Sequence, residues 1–494
     1  MNTAALVQRI QNTQAWPLFN AHETRAIEKQ AQGELANHTL MQRAGLATAQ
    51  LALALTPHAQ TIWIACGTGN NGGDGMESAI HLKRWGKRPI VTWLGNPELA
   101  PSDARQAWER AKTEGVTFTA TPPAQFDLAI DALLGIGCQR TPEGTMAQWL
   151  NMMHTSESPI LSIDVPSGLL SDTGQWLIKP KVPSSHMAKR HTLSLLTLKP
   201  GLFTADGRDA AGEVWFSDLG VENASQPTAW LHAGMATSAP RPYNSHKGSY
   251  GDVMVIGGAS GMTGAAVLAS TAALHGGAGR VLVGFLDNAA DHTAVAAQHP
   301  ALMVRRVADL DFKHATIVCG CGGGDAVRIA LPRVLSTAAQ LVLDADALNA
   351  IAQDPSLQKL LKNRSAKGQS TVLTPHPLEA ARLLGSTTAE VQIHRLQAAE
   401  TLAQQSQAVV VLKGSGSIIA QTGHISVINP TGNARLATAG TGDVLAGLIG
   451  AKLAQGLEAF AASCEAARTH GWIADAWDAT GPTFDAALLA ASVR

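Results

Sequence analysis

Both halves of this chain are predicted to fold as α/β domains built on parallel sheets. Short apolar segments of strand length alternate with helical patterns, and glycine-rich turns follow several of these segments. The length of 494 residues is too great for one ordinary domain, so two or three are expected. We place a boundary at residue 225, giving domains 1–225 and 226–494, because residues 221–247 are polar and rich in Pro, Ala and Ser, as linkers are.

Apolar periodicity locates the main elements of both halves. In the first half, residues 22–55 carry apolar positions at helical spacing. Strands are expected there at residues 61–67, 89–95, 127–135 and 159–168, with further strand material at KPGLF (199–203) and at 211–220. In the second half, strands are expected at residues 251–258, 279–285, 315–320, 340–346, 371–376 and 408–414. A hairpin around Gly423 and two helices, from near Gly442 and across 461–477, complete this half.

The composition excludes several classes of function. Hydrophobic residues make up 45% of the chain and charged residues 15%, which argues for large cores and against disorder. The net charge of −1 gives no electrostatic reason to bind nucleic acid or an anionic membrane, and no apolar segment is long enough to span a bilayer. Five irregularly spaced cysteines form no disulfide framework, so we expect a reducing, cytoplasmic location.

Polar groups converge at one edge of the first predicted sheet. The loop GTGNNGGDG (residues 67–75) follows a strand and precedes a helix, where glycines let the backbone approach a phosphate and free N–H groups attract anions. Asp131 and Asp164 end buried strands, beyond which parallel sheets bind ligands. A structural explanation exists for both features, because Gly/Asn turns are common and Asp caps turns. The convergence favours a site, and oxygen groups on Asn71, Asp131 and Ser167 suit a hard cation.

These motifs carry a family resemblance in the first half. LMQRAG, GTGNNGGDG, DALLGIG and SIDVPSGLLSDTG resemble, in order and spacing, the N-terminal epimerase domain of the NAD(P)H-hydrate repair enzymes over residues 15–220. The resemblance implies a Rossmann-like three-layer domain in which Asp164 acts in epimerisation. It implies that a potassium ion is held by Asn71, Asp131 and Ser167. It also implies that the damaged nucleotide contacts Asn70, Asn71, Gly72, Gly73, Asp74, Gly135, Ile136, Gly137, Cys138, Gln139, Arg140, Thr141 and Asp164.

The most specific signal in the second half is the segment AGTGDVL (residues 439–445). Gly440, Thr441 and Gly442 free backbone N–H groups at a helix start, which forms an anion hole. Asp443 follows in the first helical turn, and one explanation is that it only complements the helix dipole. Its place beside a bound phosphate favours a catalytic role, as the base that takes the proton from a hydroxyl attacking that phosphate.

The second half resembles the ribokinase-like superfamily and, within it, the ADP-dependent NAD(P)H-hydrate dehydratase domain. The likeness rests on KGSYGDVMVIGG, TPHPLEA, LKGSGS and NPTGNARLATAGTGDVLAG, over residues 240–494. It implies that the adenine nucleotide, with Mg²⁺, is bound by Lys413, Gly414, Ser415, Gly416, Ser417 and Gly442. It implies that the hydrated substrate contacts Ala266, Gly322, His376 and the catalytic Asp443. Cys321 stands where this family usually has proline.

Together, the two resemblances predict a bifunctional repair enzyme. It would interconvert the R and S forms of NADHX and NADPHX, and dehydrate the S form with ADP to give NAD(P)H, AMP and phosphate. We expect a homo-oligomer. One alternative is a small-molecule kinase, which would release a stable phosphorylated product from ATP. The other is a first half that serves only as a binding module, as the same fold does in RNA-processing and lipoprotein-binding proteins.

Overall fold

The chain forms two compact units, each with its own sheet. The computed structural model describes residues 7–179, 188–233, 243–286 and 292–493. The first unit comprises Met1–Asn12 and Trp16–Ala229, and the second comprises Thr13–Ala15 and Trp230–Arg494. Residues 234–242 of the expected linker lie outside the described residues. Within the described ranges, no helix has both the length and the hydrophobicity to cross a bilayer.

The first unit is an α/β domain whose sheet is almost entirely parallel. Its strands are β1 (Gln8–Arg9), β2 (Trp16–Leu18), β3 (Thr61–Cys66), β4 (Arg88–Trp93), β5 (Thr117–Thr119), β6 (Leu128–Ala132), β7 (Ile160–Ile163), β8 (Arg190–Leu195) and β9 (Glu213–Ser217). Its helices are α1 (Ala21–Glu34), α2 (Thr39–Leu55), α3 (Asn70–Arg84), α4 (Ser102–Thr113), α5 (Gly144–Thr155) and α6 (Gly207–Ala211). The sheet runs β1-β9-β8-β7-β6-β3-β4-β5, and β1 alone is antiparallel to its neighbour.

Helices cover both faces of this sheet. Along β3, Ile62 and Ile64 join a core cluster with residues of α1 to α4, whereas Trp63 joins a second cluster with Trp149 and Leu150 of α5. Successive side chains of β3 thus point to opposite faces of the sheet and are buried on both. This is typical of a strand inside a parallel sheet that is covered on both faces. The three-layer arrangement predicted for the first half is therefore confirmed.

Two predicted elements of the first half are wrong in detail. KPGLF is not a strand, because Pro200–Leu202 form a short 3-10 helix, and proline has no N–H to offer a sheet ladder. Residues 22–55 form two helices rather than one continuous pattern, with the break at residues 35–38. His38 adopts φ +69°, which ends any α-helical run.

The second unit is also an α/β domain. Its strands are β10 (Ala229–Leu231), β11 (Asp252–Gly257), β12 (Arg280–Phe285), β13 (Met303–Val304), β14 (Thr316–Cys319), β15 (Gln340–Leu343), β16 (Ser370–Leu373), β17 (Val409–Leu412), β18 (Ile418–Ala420) and β19 (Ser426–Ile428). Its helices are α7 (Thr263–His275), α8 (Thr293–Gln298), α9 (Val327–Thr337), α10 (Asp346–Gln353), α11 (Pro355–Ala366), α12 (Pro377–Leu384), α13 (Thr388–Ile393), α14 (Arg395–Ser406), α15 (Thr441–Ala454), α16 (Ala459–Asp475) and α17 (Ala486–Ser492).

The order of this second sheet brings distant loops together. Strands β13-β12-β11-β14-β15-β16-β17 are parallel neighbours, and the predicted hairpin β18-β19 continues the sheet antiparallel, next to β10. Val318, Val342 and Val372 of three adjacent strands share one core with α7, α15 and α16. Because these strands are parallel, the loops after β14, β15, β16 and β17 all open at the same edge.

Candidate active sites

The glycine-rich loop of the first half runs into helix α3, which begins at Asn70 behind the cap residue Gly69. Its glycines serve close packing. A Cβ on Gly72 would overlap the carbonyl oxygen of Gly67, and one on Gly73 would lie 2.6 Å from the sulfur of Met41. Gly72 and Gly73 are accordingly buried, whereas Asn70, Asn71 and Asp74 line a cavity together with Thr68 and Gly69.

That cavity, of about 430 Å³, gathers most of the residues predicted to touch substrate. Among the residues predicted from the sequence, its lining includes Asn70, Asn71, Asp74, Gly135, Ile136, Gly137 and Asp164. The rest of the predicted segment lies outside the lining. Cys138 is buried with its thiol 3.8 Å from the carbonyl oxygen of Arg140, while Gln139, Arg140 and Thr141 are exposed.

Asp131 and Ser167 form a buried polar network below this cavity. The Asp131 carboxylate accepts hydrogen bonds from the Ser167 hydroxyl at 2.6 Å, the Ser167 N–H at 2.9 Å and the Leu133 N–H at 3.2 Å. Burial raises the pKa of Asp131, and these hydrogen bonds oppose the rise. Asp131 is 2% exposed and pairs with no cationic side chain among the described residues.

This network fits a bound cation. A buried carboxylate without a counter-ion is costly, and a cation would relieve that cost. The Asn71 amide is also incomplete, because its Nδ2 is buried with no hydrogen-bond partner. Rotating that amide by half a turn would offer its oxygen in place of the nitrogen. The chemistry of the donors therefore suits K⁺.

Asp164 lies directly after β7, and its φ of +68° is a backbone conformation that residues other than glycine rarely adopt. Its Oδ1 accepts from the ammonium of Lys199, and its Oδ2 lies 3.3 Å from the Ile136 N–H and faces Gly135. A non-glycine residue held in this region costs about 1–3 kcal/mol and often marks a functional site. Lys199 was not predicted from the sequence, although it lies in the cavity lining.

The second candidate site lies at the common strand edge of the second unit. Lys413, at the end of β17, donates to Asp344 at 2.7 Å, and its Nζ lies 3.9 Å from Glu379. Asp344 follows β15, is 1% exposed, and also accepts from the Thr374 hydroxyl at 2.7 Å. Burial acts to lower the pKa of Lys413, but the two carboxylates outweigh it and the pKa is raised. Asp344 and Glu379 were not among the predicted site residues.

Asp443 joins this cluster from the first turn of α15. Its carboxylate, that of Asp344 and the thiol of Cys321 lie within 4.8 Å of one another. Burial, followed by the negative charge of Asp344, raises the pKa of Asp443 to about 7, while the Cys321 thiol and Lys413 partly oppose this. A carboxyl with a pKa near neutrality is well matched to proton transfer. Two adjacent carboxylates also suit Mg²⁺ that arrives with phosphate groups.

The start of α15 provides the predicted anion hole. Gly440, at φ +91°, caps the helix, and the backbone N–H groups of Gly442 and Asp443 have no acceptor in the described part of the chain. The turn is held from behind by His470, whose Nε2 donates to the carbonyl of Thr441 at 2.9 Å. Burial lowers the pKa of His470 to about 4, so it stays neutral in this role.

The predicted substrate residues lie at different depths around this cluster. His376 caps α12 by accepting at Nδ1 from the N–H of Leu378 at 3.1 Å, which leaves Nε2 as the donor nitrogen, 3.3 Å from the Glu379 carboxylate. Burial, then Lys413, lowers the pKa of His376. Gly322 adopts φ +57° in the loop after β14. Ala266 is fully buried beside Gly258, so its side chain lies beneath the loops rather than on an open surface.

A buried arginine supports the turn that contains Gly414 and Gly416. Arg395 is 1% exposed, and its guanidinium points to the carbonyl oxygens of Leu412, Lys413 and Gly416 at 3.3–3.4 Å. Gly414 adopts φ +139°, and a Cβ there would lie 2.8 Å from the same guanidinium. The turn therefore depends on both a glycine and the arginine.

Gly414→Ala is expected to lower the free energy of unfolding by about 1–3 kcal/mol, because alanine is strained at this φ and would press on Arg395. The thermal unfolding midpoint measures this. Gly423→Ala is the matched control, since Gly423 adopts φ +83° but nothing lies within 4 Å of its would-be Cβ. Equal losses in the two variants would show that contact with Arg395 has no effect.

Comparisons with known proteins agree with the two-part organisation. Residues 37–201 match the family profile described as YjeF-related protein N-terminus, and residues 253–493 match NAD(P)H-hydrate dehydratase. The bifunctional NAD(P)H-hydrate repair enzyme Nnr of Escherichia coli is 34% identical, covering 89% of this chain and 85% of that protein. The Coxiella burnetii enzyme of the same name is 33% identical, covering 93% and 94%.

Several solved structures are similar to part of this chain. Among them is the ADP/ATP-dependent NAD(P)H-hydrate dehydratase from Bacillus subtilis, co-crystallised with ATP and Mg²⁺. Its sequence is 32% identical to this chain, and the TM-score is 0.44. The match covers 51% of this chain and 90% of the Bacillus subtilis chain.

Proposed function

Because this chain belongs to the family of bifunctional NAD(P)H-hydrate repair enzymes, we propose that it restores hydrated nicotinamide dinucleotides to NADH and NADPH. Residues 1–225 would epimerise the R and S forms of NADHX and NADPHX. Residues 226–494 would dehydrate the S form with ADP. We place the enzyme in the cytoplasm as a homo-oligomer; its five cysteines, all buried and unpaired, agree with a reducing compartment.

The dehydration starts from Asp443. Its carboxylate takes the proton of the C6 hydroxyl, and the oxygen then attacks the terminal phosphorus of ADP, releasing AMP. The phosphate formed on C6 leaves far more readily than hydroxide. The ring nitrogen supplies the electron pair that expels it, and loss of a proton from C5 completes NADH or NADPH. The free N–H groups of Gly442 and Asp443 would stabilise the charge on the transferring phosphoryl group.

The nucleotide would lie along the turn that Arg395 supports. Lys413 and Gly442 would bind its phosphates, and Gly414, Ser415, Gly416 and Ser417 would contact the rest of ADP. Mg²⁺ bound with ADP would offset phosphate charge, with Asp344 and Asp443 as the nearest carboxylates. His376 would donate from Nε2 to the substrate, whose binding surface would also include Gly322 and the helix start around Ala266.

The epimerisation would take place in the 430 Å³ cavity of the first unit. Asp164 takes the proton of the C6 hydroxyl and returns it to the ring nitrogen as the C6–N bond breaks. Closure of the resulting aldehyde from its other face gives the opposite epimer. Asn71, Asp131 and Ser167 would hold K⁺, which supplies positive charge beside the bound nucleotide. Asn70, Asn71, Asp74 and Gly135 to Gly137, which line the cavity, would contact the dinucleotide. Gly72 and Gly73 would support this wall, and Cys138 to Thr141 would contact only parts of the dinucleotide that extend beyond the cavity.

The observation that carries this function is the convergence of Asp443, Lys413 and two free N–H groups at one strand edge. The test is to incubate the intact protein with R,S-NADHX and ADP while following absorbance at the NADH band. Full recovery supports both activities. Recovery that stops at the S fraction means a silent first unit, and no recovery overturns the proposal. A stable phosphorylated product formed from ATP would instead identify a kinase.

The dehydratase is expected to lose activity as the pH falls through about 7. The pKa of Asp443 is raised to about 7 by burial and by Asp344, and the base must be ionised to accept a proton. Below that value, the rate should fall about tenfold for each pH unit. The measurement is kcat/KM for ADP-dependent phosphate release from S-NADHX. A rate that stays constant well into acidic pH would exclude Asp443 as a base with this pKa.

A further inference from the structure

Lys199 is a fully buried lysine beside the first candidate site. It lies four residues after β8, within Leu198-Lys199-Pro200, and is 0% exposed. Its Nζ donates to Asp164 Oδ1, to the Leu195 carbonyl at 2.7 Å and to the Thr197 carbonyl at 2.9 Å. All three ammonium protons are thus engaged, which holds the nitrogen in one place.

Lys199 forms an ion pair with one carboxylate among several. Glu28, Asp74 and Asp164 all line the same cavity. Burial, then the charge of Asp164, raises the pKa of both Glu28 and Asp74, and for Asp74 the rise is large. Within the described residues, Lys199 is the only cationic side chain paired with Asp164, and it forms no ion pair with Glu28 or Asp74.

The geometry also fixes the direction of Asp164. Lys199 occupies Oδ1 from the buried side, so Oδ2 is left facing Gly135 and the Ile136 N–H, at the cavity wall. Apart from Lys199, the Asp164 carboxylate has only long contacts with backbone N–H groups in the described part of the chain, from Leu195 at 3.4 Å and Ile136 at 3.3 Å. Without the lysine, the carboxylate would therefore be free to rotate.

We propose that Lys199 is a positioning residue of the epimerase, which holds the Asp164 carboxylate in place with Oδ2 aimed at the hydrated nicotinamide ring. This inference rests on the proposed function of Asp164 as the proton carrier. Lys199 itself transfers no proton, because its three N–H groups are engaged. The proton moves from the C6 hydroxyl to Asp164 and then to the ring nitrogen. Asp164 and Lys199 therefore end this step in the state in which they began it.

The experiment uses the full chain and separates the two activities. Conversion of R-NADHX to S-NADHX is followed by chromatography without ADP, after subtraction of the spontaneous rate. ADP-dependent dehydration of pure S-NADHX in the same preparation reports on the second unit. Lys199→Met is expected to lower epimerisation roughly tenfold or more, because the Asp164 carboxylate is then no longer held toward the nicotinamide ring.

Two comparisons make the test specific. Lys199→Arg keeps the positive charge and is expected to retain clearly more epimerase activity than Lys199→Met, even if both variants melt at lower temperature. Lys179→Met removes an exposed ion pair with Asp206 and should leave the rate unchanged. Normal epimerisation in Lys199→Met, or an equal loss in the Met and Arg variants, overturns the inference. Normal epimerisation in Asp164→Asn would instead overturn the proposed function of Asp164.

Discussion

Asp443→Asn is expected to lower ADP-dependent dehydration by roughly 10²–10⁴-fold, which is the usual contribution of a positioned general base. An amide of the same shape fills the space beside Cys321 and Asp344 but cannot accept the hydroxyl proton. The fold should be kept, because no ion pair of Asp443 is broken among the described residues. Phosphate release from ADP with S-NADHX as substrate measures the effect.

Two controls belong to this variant. Asp325→Asn alters a fully exposed carboxylate of the same unit and should dehydrate normally. Epimerisation of R-NADHX by Asp443→Asn should match the unaltered protein, because Asp164 belongs to the other unit. Dehydration at a near-normal rate would assign the base to another residue.

Lys413→Met is expected to affect both stability and activity. It leaves Asp344 and Glu379, at 1% and 3% exposure, without their cation. Removing one partner of a buried ion pair lowers the free energy of unfolding by about 3–5 kcal/mol, because the other charge stays buried without compensation. The thermal unfolding midpoint should therefore fall strongly. ADP-dependent turnover should be lost as well, since the phosphates lose a positive partner.

The matched rescue separates these two effects. The double variant Lys413→Met/Asp344→Asn removes both charges and should recover much of the lost stability, whereas turnover should stay low. Arg306→Met, which breaks an exposed pair with Asp309, is the control and should melt normally. Recovery of turnover together with stability in the double variant would remove Lys413 from nucleotide binding.

The sequence could predict the part of the fold that depends on local pattern. Apolar segments such as residues 61–67 became covered strands because both of their faces are apolar. The convergence of Asp131 and Asp164 could be predicted in the same way, because the ends of parallel strands meet at one edge of the sheet. Lys199 could not be found in this way. A lone lysine before proline usually lies at the surface, and its burial depends on a partner 35 residues earlier.

In the second half, Asp443 and Lys413 were identified by glycine-rich motifs, whose conformation is local. Asp344 was not predicted, although it directly follows the buried strand β15. The segment QLVLDAD carries the same pattern as the segment around Asp131, namely an aspartate at the end of an apolar strand. Arg395 carried no such signal, because its carbonyl partners come from a turn about twenty residues further on. Side chains that support a site from below are set by tertiary packing rather than by motif.

The burial of all five cysteines has a practical consequence for studying this protein. Maleimide dyes should leave the folded chain almost unlabelled, since each thiol is buried and burial raises the pKa of all five. Cysteines introduced at Leu99 and Ile329, which are 85% and 86% exposed, would then be the reactive positions. A donor and acceptor pair at these two sites would measure the distance between the two units with and without substrate.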